Sequence, residues 1–186
     1  MRQKYVQHTW AQGYGIGIKK GIKHLLIHTK SHHQIIKEIY NSLDLPVNII
    51  SSEEAKLPEI ENQLISYYCP GGSLKIEAAS LTSSTINSIS KLIKEKKEEN
   101  LKYIQLLLPL ENKYCSYIAE KLVKKGFAFA GVLPWIKKGQ DLLLFHMILE
   151  PEFKIADCII ETEQSKKLFD YIVTDIKKQK KAVFSL

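Results

Sequence analysis

An α/β (α+β) domain with a mixed central β-sheet flanked by helices is the fold class this sequence predicts. Three observations carry it. From residue 62 onward, β-rich apolar runs alternate with segments of helical period. The run YIQLLLPL is almost continuously apolar, as a central strand buried on both faces must be. The runs NQLISYYC and SLKIEAAS are joined by Pro70-Gly71-Gly72, which supplies a fixed φ followed by glycines free to take φ > 0. That hairpin makes the sheet mixed rather than purely parallel.

Taken in order, HLLIHTK (24–30) reads as a strand. Ser31 offers an N-cap, and Ile35, Ile36, Ile39, Tyr40 and Leu43 recur at helical spacing. Pro46 ends that helix, because the residue before a proline avoids the α region. VNIISS follows as a short strand or extended arm, and residues 53–61 as a linker or short helix. After the hairpin, Ser83 or Ser84 caps a helix marked by Ile86, Ile89, Leu92 and Ile93, closed by the solvated KEKKEEN. Tyr114, Tyr117, Ile118, Leu122 and Val123 mark the next helix, with Gly126 as its C-terminal αL residue. FAFAGVLPWI and DLLLFHMIL are strands joined at Lys137–Gln140, and FKIADCIIET adds an edge strand. SKKLFDYIVTDIKKQ is an amphipathic helix with Leu168, Phe169, Ile172, Val173 and Ile176 inward.

Composition bounds the function. The 186 residues are 45% hydrophobic and 25% charged, which is ordinary globular usage. No apolar stretch approaches the roughly 18 residues of a membrane span, and no apolar h-region follows the N-terminal charges. The chain therefore reads as cytoplasmic. The net charge of +7 is almost all lysine, with Arg2 the sole arginine. Such charge invites a nucleic-acid partner, but readers of phosphates and base edges use arginine forks, so a solvated lysine surface is the reading and a basic nucleic-acid-binding domain only a minor third alternative. Cys69, Cys115 and Cys158 show no metal or redox spacing and read as small buried thiols. His24, His28, His32 and His33 cluster in sequence without a carboxylate or cysteine to complete a ligand set, so no metal site is expected. They read as surface or helix-start residues, and His146 as a buried, hydrogen-bonded histidine. His8 and Glu77 receive no role.

The order strand, helix, strand, helix, strand, strand, with AEKLVKKGFAFAG at the second helix-to-strand passage, resembles the GNAT acetyltransferase fold. The stretch from about His32 to about Ile176, roughly four-fifths of the chain, is similar to one branch: GNAT-like regions fused to other modules in bacterial proteins. HHQIIKEIYNSLDLP, LPL, GFAFAGVLP, DLLLFHMIL and SKKLFDYIVTDI occur there in the same order. KHLLIHTK and SHHQIIKEIYNSLDLP also echo the close of such a lobe. Residues 1–52 thus read as a partial N-terminal GNAT-like lobe or arm, and 53–186 as a GNAT-like domain with a C-terminal helix.

The resemblance implies an acetyl-CoA cofactor whose pyrophosphate sits at a helix N-terminus, where backbone N–H groups and the helix dipole favour anions. It places that loop at Thr82, Ser83, Ser84 and Thr85. These four hold none of the glycines of the family's Gln/Arg-x-x-Gly-x-Gly/Ala pattern. The pattern stands instead at Gln12-Gly13-Tyr14-Gly15-Ile16-Gly17, without the preceding strand and long following helix it needs. The family's frequent general acid is a tyrosine four residues before the glycine of Gly-Phe. Leu122 stands there, while Tyr40 holds the matching place in the first lobe and reads as a packed residue with a satisfied hydroxyl.

Two readings follow. One is an acyl-CoA-dependent N-acetyltransferase, or diverged GNAT-fold relative, taking a CoA thioester and a small-molecule or protein amine. The other is a non-catalytic regulatory or interaction module on that fold, with a persistent apolar surface or a homodimer where the sheet would otherwise open onto CoA.

Overall fold

The computed structural model describes residues 26–27, 32–45, 47–49, 56–61, 63–69, 71–97, 99–137, 140–150 and 160–183. The Gln12–Gly17 motif, His8, His24, His28, Cys158 and most of the expected FKIADCIIET strand lie outside them.

The first unit is β1 (Leu26–Ile27), α1 (His33–Ser42) and β2 (Asn48–Ile49), with β1 and β2 paired in parallel. The second runs β3 (Leu64–Cys69), β4 (Ser73–Ala78), α2 (Thr85–Lys97), β5 (Tyr103–Pro109), α3 (Cys115–Val123), β6 (Ala128–Lys137), β7 (Gln140–Ile148) and α4 (Glu163–Val183). Its five strands form one mixed sheet in the order β3-β4-β5-β7-β6. Only β4 and β5 run parallel; the other neighbours are antiparallel. This is the mixed, helix-flanked α+β architecture the sequence predicts, and it is consistent with a GNAT-like fold.

The apolar run of β5 makes it the middle strand. Ile104, Leu106 and Leu108 are fully buried on one face, and Leu107 is buried on the other. Parity along the register puts Leu74, Ile76, Leu143, Phe145 and Phe129 on the first face. They join one core with Ile35, Ile36 and Tyr40 of α1, Ile89 of α2, Ile118 and Leu122 of α3, and Leu168, Tyr171 and Ile172 of α4. Connection handedness explains part of this. The crossovers β4-α2-β5 and β5-α3-β6 both progress toward the β6 edge, so a right-handed path places α2 and α3 on the same face, where they touch. On the opposite face Leu107, Leu142 and Leu144 cluster with Ala130 and Leu133.

Two helix ends share one device. At the end of α3 the Gly126 N–H donates to the Val123 carbonyl at 3.0 Å, and Phe127 N–H to the Leu122 carbonyl at 3.1 Å. This is a Schellman motif, with Gly126 at φ 92° and Leu122 and Phe127 buried beside it. At the end of α1, Asp44 N–H donates to Asn41 and Leu45 N–H to Tyr40, with Asp44 at φ 54°. α1 therefore stops through its own cap, before Pro46 can act. Tyr40 and Leu122 occupy equivalent places in the two endings.

Other expectations shift. The N-cap of α1 is His32, not Ser31. Cys115 is buried as expected, but Cys69 is exposed because β3 forms the sheet edge among the described strands. Tyr117, one of the residues that mark α3, is 39% exposed.

The hairpin glycines are not equivalent. Gly71 and Gly72 both have positive φ, but only at Gly72 would a Cβ meet backbone, the Asn100 carbonyl oxygen at 2.4 Å. Gly72→Ala is expected to cost more than the roughly 1 kcal/mol of a strained φ alone, about 3 kcal/mol, and Gly71→Ala only the smaller amount. Urea denaturation of the two variants checks the difference; equal losses would contradict the close approach.

Candidate functional site

Where the parallel β4–β5 ladder ends, at Glu77 opposite Leu107, β4 passes into the turn that starts α2. This turn holds Thr82, Ser83, Ser84 and Thr85. The residue types there are turn and cap formers, and the turn uses them as such. Thr85 Oγ1 accepts from the Thr82 N–H at 2.8 Å, and Thr85 N–H donates to the Thr82 carbonyl at 3.2 Å. The Thr82 hydroxyl lies 3.0 Å from that of Ser84 and 3.4 Å from that of Thr85. Ser83 N–H donates to the Pro58 carbonyl at 3.1 Å. Thr82 and Thr85 are fully buried, Ser84 is half-buried and Ser83 faces outward. The four residues thus form one tight turn whose threonine hydroxyls point into the protein. The hydroxyls that reach solvent near the N-terminus of α2 are those of the two serines. Leu81, just before them, is also buried.

The second predicted feature, the acid position, divides between the two helix ends. Leu122 is fully buried in the core. Tyr40 is buried too, and its hydroxyl donates to Asp141 Oδ2 in a short hydrogen bond across 101 residues. Burial, with the adjacent Asp141 carboxylate, raises the Tyr40 phenol well above its usual range. The packed, satisfied tyrosine expected from the sequence is what the structure contains. Asp141 is 1% exposed, and its carbonyl also accepts from Leu110 N–H at 2.9 Å. The sequence reading passed over Asp141; an acidic residue opening the apolar run DLLLFHMIL was the available signal.

A polar and aromatic cluster joins the start of α1 to α4. His32 stands at the start of α1, one of the two placements expected of it, and is 5% exposed because its ring stacks on Phe129 at 4.8 Å and meets Phe145 edge-on. Its Nδ1 shares a 2.8 Å hydrogen bond with the Tyr171 hydroxyl. Asp175 Oδ2 accepts the Phe129 N–H at 2.7 Å. Burial lowers the His32 pKa, opposed by Asp175 and assisted by Lys178. Nearby, Lys167 and Glu38 form a 2.9 Å ion pair between α4 and α1. Tyr171 and Asp175 were not singled out in the sequence, since neither belongs to the apolar stripe of α4.

On the opposite face, His146 packs edge-on to Tyr103, ring centroids 4.9 Å apart. It is largely buried, and its Nε2 has no hydrogen-bond partner among the described residues, so the expected hydrogen-bonded histidine is only half realised. Burial lowers its pKa to about 4. No three His, Cys, Asp or Glu side chains come together as a metal cluster among the described residues. No described helix is long and apolar enough to cross a membrane. Burial pushes the Cys115 thiol up to about 12, which removes it as a thiolate nucleophile near neutrality.

No protein-family model matches the chain, and no curated protein matches it. A crystal structure of the NatC complex bound to Gag peptide and CoA contains a chain similar to this one over 67% of this chain and 84% of that one, at 13% identity and a TM-score of 0.35. A likeness at that level carries no argument about chemistry. The fold assignment stands on strand order and connection.

Two predictions follow from the buried polar groups. Tyr40→Phe removes a donor to a buried carboxylate and is expected to lower stability by about 1–3 kcal/mol in urea denaturation. A neutral result would separate that bond from the stability of the α1 packing. His146 titrates near 6.5 when unfolded and near 4 when folded, so the unfolded chain takes up the proton first as pH falls. Its contribution is complete above about pH 6.5 and is lost toward pH 4, by up to about 3 kcal/mol. Urea midpoints between pH 7.5 and 4.5 are expected to fall less steeply in His146→Gln than in the parent.

Proposed function

We propose that this chain is a diverged GNAT-like lobe acting as a regulatory or interaction module rather than as an acyltransferase. The observation that carries this reading is the turn at Thr82–Thr85. A pyrophosphate cradle needs backbone amides and hydroxyls turned outward, with glycines to let the phosphate approach. Here Thr82 and Thr85 spend their hydroxyls on the turn itself, and Ser83 spends its amide on Pro58. Leu122 at the family's acid position points the same way, because a leucine cannot protonate a leaving thiolate. The β1-α1-β2 unit, whose Schellman ending matches that of α3, supports the reading of residues 1–52 as part of a second lobe.

The second reading is an acetyl-CoA-dependent N-acetyltransferase. It is favoured by the placement of Ser83 and Ser84 at the N-terminus of the 13-residue helix α2, just past the last rung of the parallel pair. On that reading these two serines and the first free amides of α2 would hold the CoA pyrophosphate. CoA would supply the activated acyl group. The chain's part would be to orient the thioester for attack by an amine.

Isothermal titration with acetyl-CoA separates the two. The module reading predicts no binding heat at about 1 mM ligand and no thiol release with amine mixtures. Saturable binding weakened about tenfold or more by a Ser83→Glu, Ser84→Glu pair would establish the cofactor site and overturn it.

A further inference from the structure

Strand β3 forms the edge of the sheet among the described strands, and its sequence LISYYC has none of the features that keep edges from pairing. It contains no charge and no proline, and it pairs with β4 over six consecutive rungs without a bulge. The direction of its outer backbone groups follows from the ladder. Ala79 N–H donates to the Gln63 carbonyl, and bonded and non-bonded residues alternate along an antiparallel pair. Leu64, Ser66 and Tyr68 therefore turn their N–H and C=O groups away from β4. The side chains at the strand's middle are open on both faces. Ser66 is exposed, Ile65 is 36% exposed and Tyr67 is 58% exposed.

We propose that β3 is a homodimerisation edge, on which a second copy lays its own β3 antiparallel about a two-fold axis through Ser66. Register selects this occupant. That axis pairs Leu64 with the partner's Tyr68, Ser66 with the partner's Ser66, and Tyr68 with the partner's Leu64. All three outward-turned residues enter bonded pairs together, each pair exchanging two N–H···O=C bonds. Between them Ile65 falls opposite the partner's Tyr67, an aromatic and β-branched pair on one face. The two most accessible apolar side chains of the strand thus cover each other. A one-residue slip puts the bonding groups out of phase.

Charge agrees. Two chains of +7 repel, but this strand is neutral and its flanks differ in sign. The Lys56–Glu59 ion pair and Glu61 precede β3. Near its far end Lys75 lies opposite Tyr67, and Lys96, ion-paired with Glu99 at 2.7 Å, stands over the Tyr68 ring at 5.4 Å. Outside those two ion pairs, antiparallel pairing sets Glu61 of each copy toward the end of the other that carries Lys75, whereas parallel pairing would set like against like. One strand pair is a small contact, below about 1,200 Å², so the affinity is on the order of micromolar or weaker. This inference does not depend on whether the chain binds CoA.

Sedimentation equilibrium from about 1 to about 500 µM tests it. The weight-average mass is expected to rise from 21.3 kDa toward twice that value. Ser66→Pro removes the central outward N–H without touching the β4 ladder, so the monomer keeps its circular dichroism spectrum and the dimer is lost. Tyr67→Lys, which places a charge in the pair on a side chain already open to solvent, is expected to weaken the dimer at least tenfold. It decides the matter if Ser66→Pro does not fold. A monomer throughout the range, or a dimer of unchanged affinity in Tyr67→Lys, overturns the proposal.

Discussion

The structure depends on one requirement: β5 must be bonded on both edges, fully buried on its helix-covered face and closed at Leu107 on the other. Its neighbours are β4, in parallel, and β7, antiparallel over seven rungs from Tyr103 to Pro109. A buried backbone leaves no group to water, so each of these pairings is obligatory. The chain reaches β4 and β5 in parallel only by crossing over, and α2 makes that crossing. α3 makes the next, over the same face. α1 and α4 complete the cover toward β6, where His32 stacks on Phe129 and Tyr171 closes over both.

The same frame bears on the proposal that the turn before α2 is not a phosphate cradle. Past Glu77 and Leu107 the parallel ladder stops, and the backbone that leaves β4 must be satisfied by its own turn. A turn rich in glycine can leave amides open. This one contains threonines, and their hydroxyls are the nearest groups able to satisfy it. The local solution engages both threonine hydroxyls and the Ser83 amide. The buried tyrosine follows the same logic: with Asp141 within reach, Tyr40 ties α1 to β7.

Much of this fold was legible because its signals are local. The run YIQLLLPL, the Pro-Gly-Gly hairpin and the αL glycine at 126 are each set by neighbouring residues, and each stands where the sequence places it; of the expected inward stripe of α4, Leu168, Ile172 and Ile176 pack inward, joined by Tyr171. What was not legible depends on pairs far apart in the chain. The bond between Tyr40 and Asp141 and the contact of His32 with Tyr171 span 101 and 139 residues. The exposure of Cys69 follows from a sheet order that composition does not state. What stops α1 is Asp44, in the αL role that a glycine usually advertises, rather than Pro46. At the candidate site the sequence supplied the position of the turn and the absence of glycine. It could not supply which way the hydroxyls point.

The most direct test of the account is a backbone amide NMR titration with CoA, following Thr82 to Asn87. An inward-bonded turn predicts that these amides keep their shifts at millimolar CoA, with any changes spread over surface lysines. Saturable shifts concentrated at Ser83, Ser84 and the first turn of α2 would contradict it.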